Sequence, residues 1–416
     1  MNILKYTLDL YKKFQEKNLF IKIFQTLLFI WIFSIPLKNS IYQISTVLII
    51  IFFFIHYFYH KQKTFLLEML GEYKKLLIVF LLFIVSMTLS SLLGISEKSA
   101  LIEILKYFFR YLFILVILFY CYKQKLFSKK WLLTVIFIVL LIHCLDGIYQ
   151  YITGFDFIVH QPLGASSQLT GAVYSVNPFG LLMVIGASIS LVLFFDKNDY
   201  KILQYDKIIY FTTLLMFLFT LFYSQSRSAW VMFGIFSIGY MFFYIRKNGI
   251  DKKLFYTISS LFIFAILLFL LDDNLFHRLI QLLKGYSSGR TSLIWPFTID
   301  KIMDAPILGY GIDTYKLLAY GQSTEKYAGV HNLSLELLLY TGIVGFSIFN
   351  YLIWLTLKES FTKDKIIYFI LFLSFIILMQ FDGSLIDSKV HLNIFILILF
   401  FIYSFRLDKK SPDLIK

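Results

Sequence analysis

Three polar motifs interrupt an otherwise apolar sequence, and each holds a side chain that could do chemistry. Arg227 lies in the sequence YSQSRSAW, Arg290 lies in SSGRTSLIW, and His331-Asn332 open the sequence HNLSLE. An arginine guanidinium binds phosphate oxygens through two parallel N–H bonds. Histidine is the side chain that most readily transfers a proton near neutral pH. These residue types together predict an anion-binding site beside a proton acceptor.

Each motif also has a purely structural interpretation. Arg227, with Trp230 beside it, could anchor a span at the membrane interface, and the Ser, Gly and Thr residues around Arg290 could cap an ordinary surface helix. A histidine at an interface is often structural as well. No second histidine or carboxylate stands at zinc-binding spacing from His331, so the sequence predicts no metal site.

Charged residues also occur inside apolar runs, where they are costly and often functional. Glu103, Lys106 and Arg110 share one face of a helix at i, i+3 and i+7, and Asp146 lies in the next apolar run. They could neutralise one another, or they could line a polar cavity that is open to the outside. Asn177, followed by proline, is typical of a turn before a helix.

The elements that must position these residues are membrane-spanning helices. Of the 416 residues, 59% are hydrophobic and 15% are charged, whereas a soluble domain is about half apolar and about a quarter charged. Both cysteines, Cys121 and Cys144, lie in apolar runs, which excludes a disulfide framework. The sequence therefore predicts an all-α polytopic membrane protein with residues 1–416 as a single integral-membrane domain.

About twelve apolar segments approach the length of about 20 residues that a spanning helix needs. They lie at 19–36, 41–58, 76–94, 101–121, 131–150, 176–195, 205–223, 229–245, 254–271, 333–357, 365–381 and 390–405.

The net charge of +14 would suggest nucleic acid in a soluble protein, but here its distribution indicates topology instead. The short odd-numbered connections hold only Lys38, Lys98, Arg227 and Lys389 as cations, while lysines and arginines cluster in the even-numbered connections and the tail. The positive-inside rule then predicts cytoplasmic termini. The three polar motifs fall on the opposite, outer side.

One outer connection, at residues 272–332, is long enough to have its own structure. We expect a polar loop first, then a short amphipathic helix near residues 291–303, and then a turn region around Pro306, Gly309 and Gly311.

The order of these motifs resembles the signature of the O-antigen ligase and O-antigen polymerase superfamily. The resemblance covers roughly residues 165–345. Its parts are the GAVYSVNPFG of 171–180, the SQSRSAW around Arg227, the SGR that ends at Arg290, Trp295, Pro306, the GYG of 309–311, the HN of 331–332 and the GIVG of 342–345.

The resemblance implies glycan transfer at the periplasmic face of the bacterial inner membrane, from an undecaprenyl-pyrophosphate carrier and without a cofactor. Arg227 and Arg290 would hold the pyrophosphate, and His331 would be the general base, with inversion at the anomeric carbon. Asn332, Asn177 and Arg110 are further candidates for substrate binding. The long outer loop would cover the site and help to admit the acceptor.

A ligase that uses the lipid A core as acceptor is our preferred interpretation. The chain has about twelve predicted spans, no large extra soluble domain, and only a short tail after Arg406. A polymerase or a protein O-oligosaccharyltransferase would use the same donor, and a transporter of lipid-linked glycan is an alternative of another class. A transporter predicts broken helices in repeat-related halves and charges through the full membrane depth.

Overall fold

The computed structural model describes residues 18–37, 39–60, 65–195, 207–286, 289–327, 329–382, 385–386 and 388–410. These residues are mostly helical, and they contain no β-strand beyond two isolated bridges. The predicted all-α fold is therefore confirmed for the part of the chain that is described.

Helices follow one another along the chain with short connections. In chain order they are α1 Leu19–Ser34, α2 Asn39–Tyr59, α3 Phe65–Leu93, α4 Lys98–Tyr107, α5 Phe113–Lys123, α6 Lys129–Thr153, α7 Val176–Phe195, α8 Lys207–Tyr223, α9 Arg227–Asn248, α10 Lys252–Leu271, α11 Asp273–Leu283, α12 Trp295–Asp304, α13 Tyr315–Ala319, α14 Leu333–Ser360, α15 Ile366–Asp382 and α16 Lys389–Lys410.

Nine helices within the described ranges are long and apolar enough to cross a membrane, namely α2, α3, α6, α7, α9, α10, α14, α15 and α16. The count of twelve spans is not confirmed. Two further apolar helices, α1 and α8, have only 16 and 17 residues. The predicted span at 101–121 is divided into α4 and α5 by a π-helical turn at Phe108–Leu112. The number of spans beyond nine, and the side on which the termini lie, stay predictions.

Burial separates central helices from peripheral ones. The apolar stretches of α16 and α7 are 89% and 78% buried inside the protein, whereas that of α10 is only 17% buried. A helix that is apolar on all sides and exposed on most of them must face lipid. Asn177 at the start of α7 therefore stands on a central helix, whereas Arg227 begins α9, whose apolar stretch is only 39% buried.

The long outer connection contains more helix than the sequence predicted. The interpretation of its first part as a polar loop is wrong, because α11 occupies it and Asp272 caps α11 by accepting the N–H groups of Asn274 and Leu275. The helix expected at 291–303 begins as a π-helical turn at Arg290–Ile294 and continues as α12. The polar residues of α11 hid an amphipathic helix, whose apolar positions recur at helical spacing.

Helix α14 is broken at Gly342, and the outer connection fills the break. Gly342 has a φ of 58°, and a Cβ there would lie 2.2 Å from the carbonyl oxygen of Ile307. The backbone of residues 306–311 exchanges four hydrogen bonds with α14, two from Tyr310 and Gly311 and two to Pro306 and Ile307. The GYG and GIVG motifs thus require glycine because two backbones approach each other closely there.

Asp146 organises the connection between α6 and α7. Its carboxylate accepts the backbone N–H groups of Phe157, Ile158 and Ala172. Asp146 therefore does not neutralise the charges on α4, which was one of the two expectations. It instead satisfies backbone donors next to the start of α7.

Candidate active site

The C-terminal end of α15 collects side chains from four other elements. Asn332 donates to the carbonyl of Gln380 at 2.9 Å, and Arg290 donates to the carbonyl of Phe381. His331 makes a hydrogen bond to the carbonyl of Asp382. The last carbonyls of a helix have no partner inside it, so they are free to accept these donors. We call residues 380–382 the α15 end.

The backbone around His331 is fixed on both sides. His331 itself has a φ of 55°, in the left-handed region that few non-glycine residues adopt. Before it, the indole N–H of Trp295 donates to the carbonyl of Val330 at 3.2 Å. After it, Asn332 caps α14 by accepting the N–H of Leu335 at 3.0 Å. These contacts hold the imidazole at the α15 end.

Both polar ends of the Asn332 side chain are thus engaged, in the cap of α14 and in the bond to Gln380. The side chain of Ser334 adds a second link, because it donates to the amide oxygen of Gln380 at 2.8 Å. The contacts that we observe for Asn332 position His331. Its predicted role in substrate binding stays a prediction.

Arg290 stands at the start of the π-helical turn that leads into α12. Gly289 precedes it with a φ of 85°, and a Cβ at Gly289 would lie 2.3 Å from the hydroxyl of Tyr327. The N-cap position of the π-helical turn is Gly289, so no side chain caps this turn. Ser287 and Ser288, which were candidates for capping, lie outside the described residues. The glycine lets the chain turn so that the guanidinium reaches the α15 end.

Arg227 is the first residue of α9 and follows a tight turn from α8. The indole N–H of Trp230 donates back to the carbonyl of Leu221 at 3.0 Å, so the tryptophan closes this turn. The Arg227 guanidinium donates to the carbonyl of Tyr286 and lies 5.8 Å from the centre of its ring. Arg227 therefore joins the end of α8 to the segment that follows α11.

Helix α7 packs directly against this turn through Gly180. A Cβ at Gly180 would lie 2.8 Å from the Cβ of Ser226 and 3.0 Å from the Cβ of Ala229. Only a glycine allows the two helices to approach this closely. The NPFG sequence at the start of α7 thus sets the position of the turn that carries Arg227.

Arg278, on α11, is a site residue that the sequence analysis missed. Its guanidinium donates to Gln281 at 2.9 Å, while its Nε atom is buried without a hydrogen-bond partner among the described residues. It interacts electrostatically with both Arg227 and Arg290. Its segment had been interpreted as a polar loop, so the helix that carries it was not considered.

Asp382 is the second residue that was missed. Its buried carboxylate accepts the side-chain N–H of Asn177 and the hydroxyl of Ser228, the latter at 3.1 Å. This pair of bonds joins the first turns of α7 and α9 to the last turn of α15. A carboxylate at the end of an apolar span was the signal that could have identified it.

The cluster is electropositive and partly removed from solvent. Burial lowers the pKa of Arg290, and burial together with the charge of Arg290 lowers the pKa of Arg278. Burial and the charge of Arg290 also lower the pKa of His331, against a smaller opposite effect of the bond to Asp382. Arg290 interacts electrostatically with the carboxylate of Asp382, although neither Arg278 nor Arg290 has a described carboxylate within ion-pair distance. The arrangement suits an anion with more than one charge, beside a neutral imidazole.

The structure brings together five of the six predicted site residues: Arg227, Arg290, His331, Asn177 and Asn332. Arg110, the sixth, lies elsewhere. It belongs to the π-helical turn between α4 and α5, and its electrostatic partners are Tyr42, Tyr111 and Lys389. The π-helical turn adds a residue to the helix, and Lys106 and Arg110 still line one groove, away from the arginine cluster.

The family model described as O-antigen ligase matches residues 211–350 of the chain. The match covers about a third of the chain and supports the O-antigen ligase superfamily. The matched segment runs from α8 into α14 and carries Arg227, Arg278, Arg290 and His331, while Asp382 lies beyond it. A comparison with curated proteins gave no match. The family indicates glycan transfer of the O-antigen ligase or polymerase type by a multi-pass membrane enzyme.

Proposed function

We propose that this protein transfers a glycan from undecaprenyl pyrophosphate to a sugar hydroxyl of a lipid-anchored acceptor at the periplasmic face of the inner membrane. The observation that carries the proposal is the convergence of three arginines from α9, α11 and the π-helical turn beside His331. Three cations held close together repel one another unless an anion lies between them. A pyrophosphate has the charge and the oxygen atoms to occupy such a site.

His331 accepts the proton of the attacking hydroxyl. One ring nitrogen is committed to the carbonyl of Asp382, which leaves the other as the acceptor. The lowered pKa of His331 keeps the imidazole neutral at neutral pH, as a general base requires.

The hydroxyl oxygen then forms a bond to the anomeric carbon while the bond from that carbon to the carrier oxygen breaks. The electron pair leaves with the pyrophosphate, and Arg227, Arg278 and Arg290 stabilise the negative charge that develops there. Attack opposite the leaving group inverts the anomeric configuration. The donor is already activated, so the reaction proceeds without a metal ion or a nucleotide.

The lipid A core is our preferred acceptor, on the resemblance to the ligases. A second carrier-linked glycan would make the protein a polymerase, and a protein hydroxyl would make it a protein O-oligosaccharyltransferase. The same three arginines and His331 serve all three reactions, because the donor and the leaving group do not change.

The break in α14 is the one feature that a transporter would share. Its backbone groups, however, bond to residues 306–311. A transporter would also carry charges through the full depth of the membrane. The charges of the cluster instead lie at or near helix ends, with Arg227 at the start of α9, Asp382 at the end of α15 and Arg278 on α11. These observations favour transfer over transport.

The test is a transfer assay with purified, reconstituted protein in the presence of EDTA. The donor is an undecaprenyl-pyrophosphate glycan, offered with lipid A core or with a second carrier-linked unit. His331→Ala should reduce transfer by about a hundredfold or more. The matched control is His277→Ala, since His277 is an exposed histidine one residue from Arg278.

Transfer to lipid A core by the wild type and the His277→Ala control, and its loss in folded His331→Ala, would support the ligase. Growth of the glycan on the carrier alone would identify a polymerase with the same chemistry. If folded wild-type protein transferred the glycan to neither lipid acceptor nor to a protein acceptor, the proposal would be wrong. Movement of intact donor between leaflets would then become the leading alternative.

A further inference from the structure

A second cationic site lies away from the arginine cluster, in a groove between α2 and the α4–α5 junction. The groove has a volume of about 260 Å³. Its lining residues are Gln43, Thr46, Val47, Ile50, Ile102, Leu105, Lys106, Phe109 and Arg110. We call it the α2–α4 groove.

The walls of the α2–α4 groove are apolar and open sideways. Val47, Ile102, Leu105 and Phe109 have between 47% and 60% of their surface exposed. In a membrane-spanning bundle, such side chains face lipid and not water. Hydrocarbon chains of the surrounding bilayer can therefore enter the groove directly.

Its polar part is positively charged. Lys106 forms an ion pair with Glu103, while Arg110 has no hydrogen bond or ion pair with any residue that the structure describes. Lys389, at the start of α16, lies close enough to Arg110 to interact with it electrostatically. The groove thus has two cations in its lining, Lys106 and Arg110, and only Glu103 pairs with one of them, in surroundings where an uncompensated charge is costly.

We propose that the α2–α4 groove binds a lipid with an anionic phosphate headgroup, taken from the outer leaflet. Arg110 and Lys106 hold the phosphate, and the lipid chain lies along the apolar walls. An arginine fork and an ammonium group are the side chains best suited to phosphate oxygens. Free phosphate would leave the apolar walls unoccupied, which is why a lipid fits better.

This inference does not depend on the proposed transfer reaction. The electrostatic partners of Arg110 are Tyr42, Tyr111 and Lys389, and none of them belongs to the arginine cluster. Lipid binding can accordingly be tested without a donor glycan or an acceptor.

The experiment is native mass spectrometry of the purified full-length protein, titrated with three probes. They are phosphatidylglycerol, diacylglycerol with the same acyl chains, and glycerol phosphate, which is the headgroup without chains. Phosphatidylglycerol should bind at least about tenfold more tightly than either of the others, because only it has both a charge and chains.

Arg110→Gln and Lys106→Gln should each weaken phosphatidylglycerol binding by about tenfold, whereas Arg110→Lys should retain most of it. Lys123→Gln is the matched control, since Lys123 lies at the other end of the same helical segment and pairs with Glu68. The wild-type comparison of the three probes needs no variant, so it remains valid even if Arg110→Gln fails to fold.

Equal binding of diacylglycerol and phosphatidylglycerol by the wild type would overturn the role of the charges. Equal binding of glycerol phosphate would overturn the assignment to a lipid and point to a free anion. Unchanged phosphatidylglycerol binding in folded Arg110→Gln would show that the lipid binds elsewhere, which would also overturn the proposal.

Discussion

The protonation state of His331 depends on one neighbouring side chain, that of Arg290. Burial and the positive charge of Arg290 both lower its pKa from the usual 6.5. A protonated imidazole cannot accept a proton, so transfer should fall as the pH drops through this pKa. Because the pKa is lowered, we expect the midpoint of that fall to lie below pH 6.5 in the wild type, measured as kcat/KM against pH.

Arg290 offers a direct check of this explanation. Arg290→Gln removes the repulsion, so the pKa of His331 should rise and the midpoint should move to higher pH. Arg290→Lys keeps the charge and should leave the midpoint close to that of the wild type, although both variants lose rate. An identical midpoint in the two variants would contradict the electrostatic explanation.

Arg278 is the residue whose role is least visible in the sequence. Arg278→Ala removes one of three cations from the proposed pyrophosphate site, so we expect transfer to fall by about tenfold to a hundredfold. Arg246→Ala is the matched control, because Arg246 is an exposed arginine near the C-terminal end of α9, at the far end of that helix from Arg227. Wild-type rates in folded Arg278→Ala would exclude it from the site.

At the scale of elements, the contact between α7 and the α8–α9 turn leaves no room for a larger side chain at Gly180. Gly180→Ala would place a Cβ 2.8 Å from that of Ser226, so the turn and Arg227 must shift. We expect a loss of stability of about 1–3 kcal/mol and a clear loss of transfer. The test compares the thermal unfolding and the transfer rate of Gly180→Ala with those of the wild type, both measured on the same preparation of each protein.

Gly234→Ala is the control for this substitution. Gly234 lies inside α9, the helix that follows the turn, and a Cβ there would meet nothing within 4 Å. Alanine is the better helix former, so Gly234→Ala should leave transfer unchanged and stability equal or slightly higher. If both variants lost transfer alike, the effect would belong to α9 in general and not to its contact with α7.

The sequence predicted individual residues of the site better than the packing that brings them together. Arg227, Arg290 and His331 could be found because polar motifs stand out between apolar runs. Asp382 could not be connected to Asn177 and Ser228, since they are separated by about 200 and about 150 residues and only packing brings them together. Helix α11 was missed because its polar face resembled a loop, and Arg278 was missed with it.

At the scale of the whole molecule, the orientation in the membrane remains to be measured. Both native cysteines are buried, so single introduced cysteines can report accessibility in an otherwise unchanged chain. His277→Cys, on the exposed part of α11, should react with a membrane-impermeant maleimide added outside spheroplasts. Lys247→Cys, at the far end of α9, should react only after the membrane is opened. The reverse pattern would place the termini outside.

The backbone bonds between residues 306–311 and α14 also determine where this protein tolerates changes of length. One residue inserted between Ile307 and Tyr310 would put the two hydrogen bonds at Pro306 and Ile307 out of register with the two at Tyr310 and Gly311. Residues 320–323 are exposed, and a Cβ at Gly321 would meet no neighbouring atom. An epitope tag for purification or imaging therefore belongs at 320–323, where an insertion disturbs only local turn hydrogen bonds, such as the one from Gln322 to the carbonyl of Ala319.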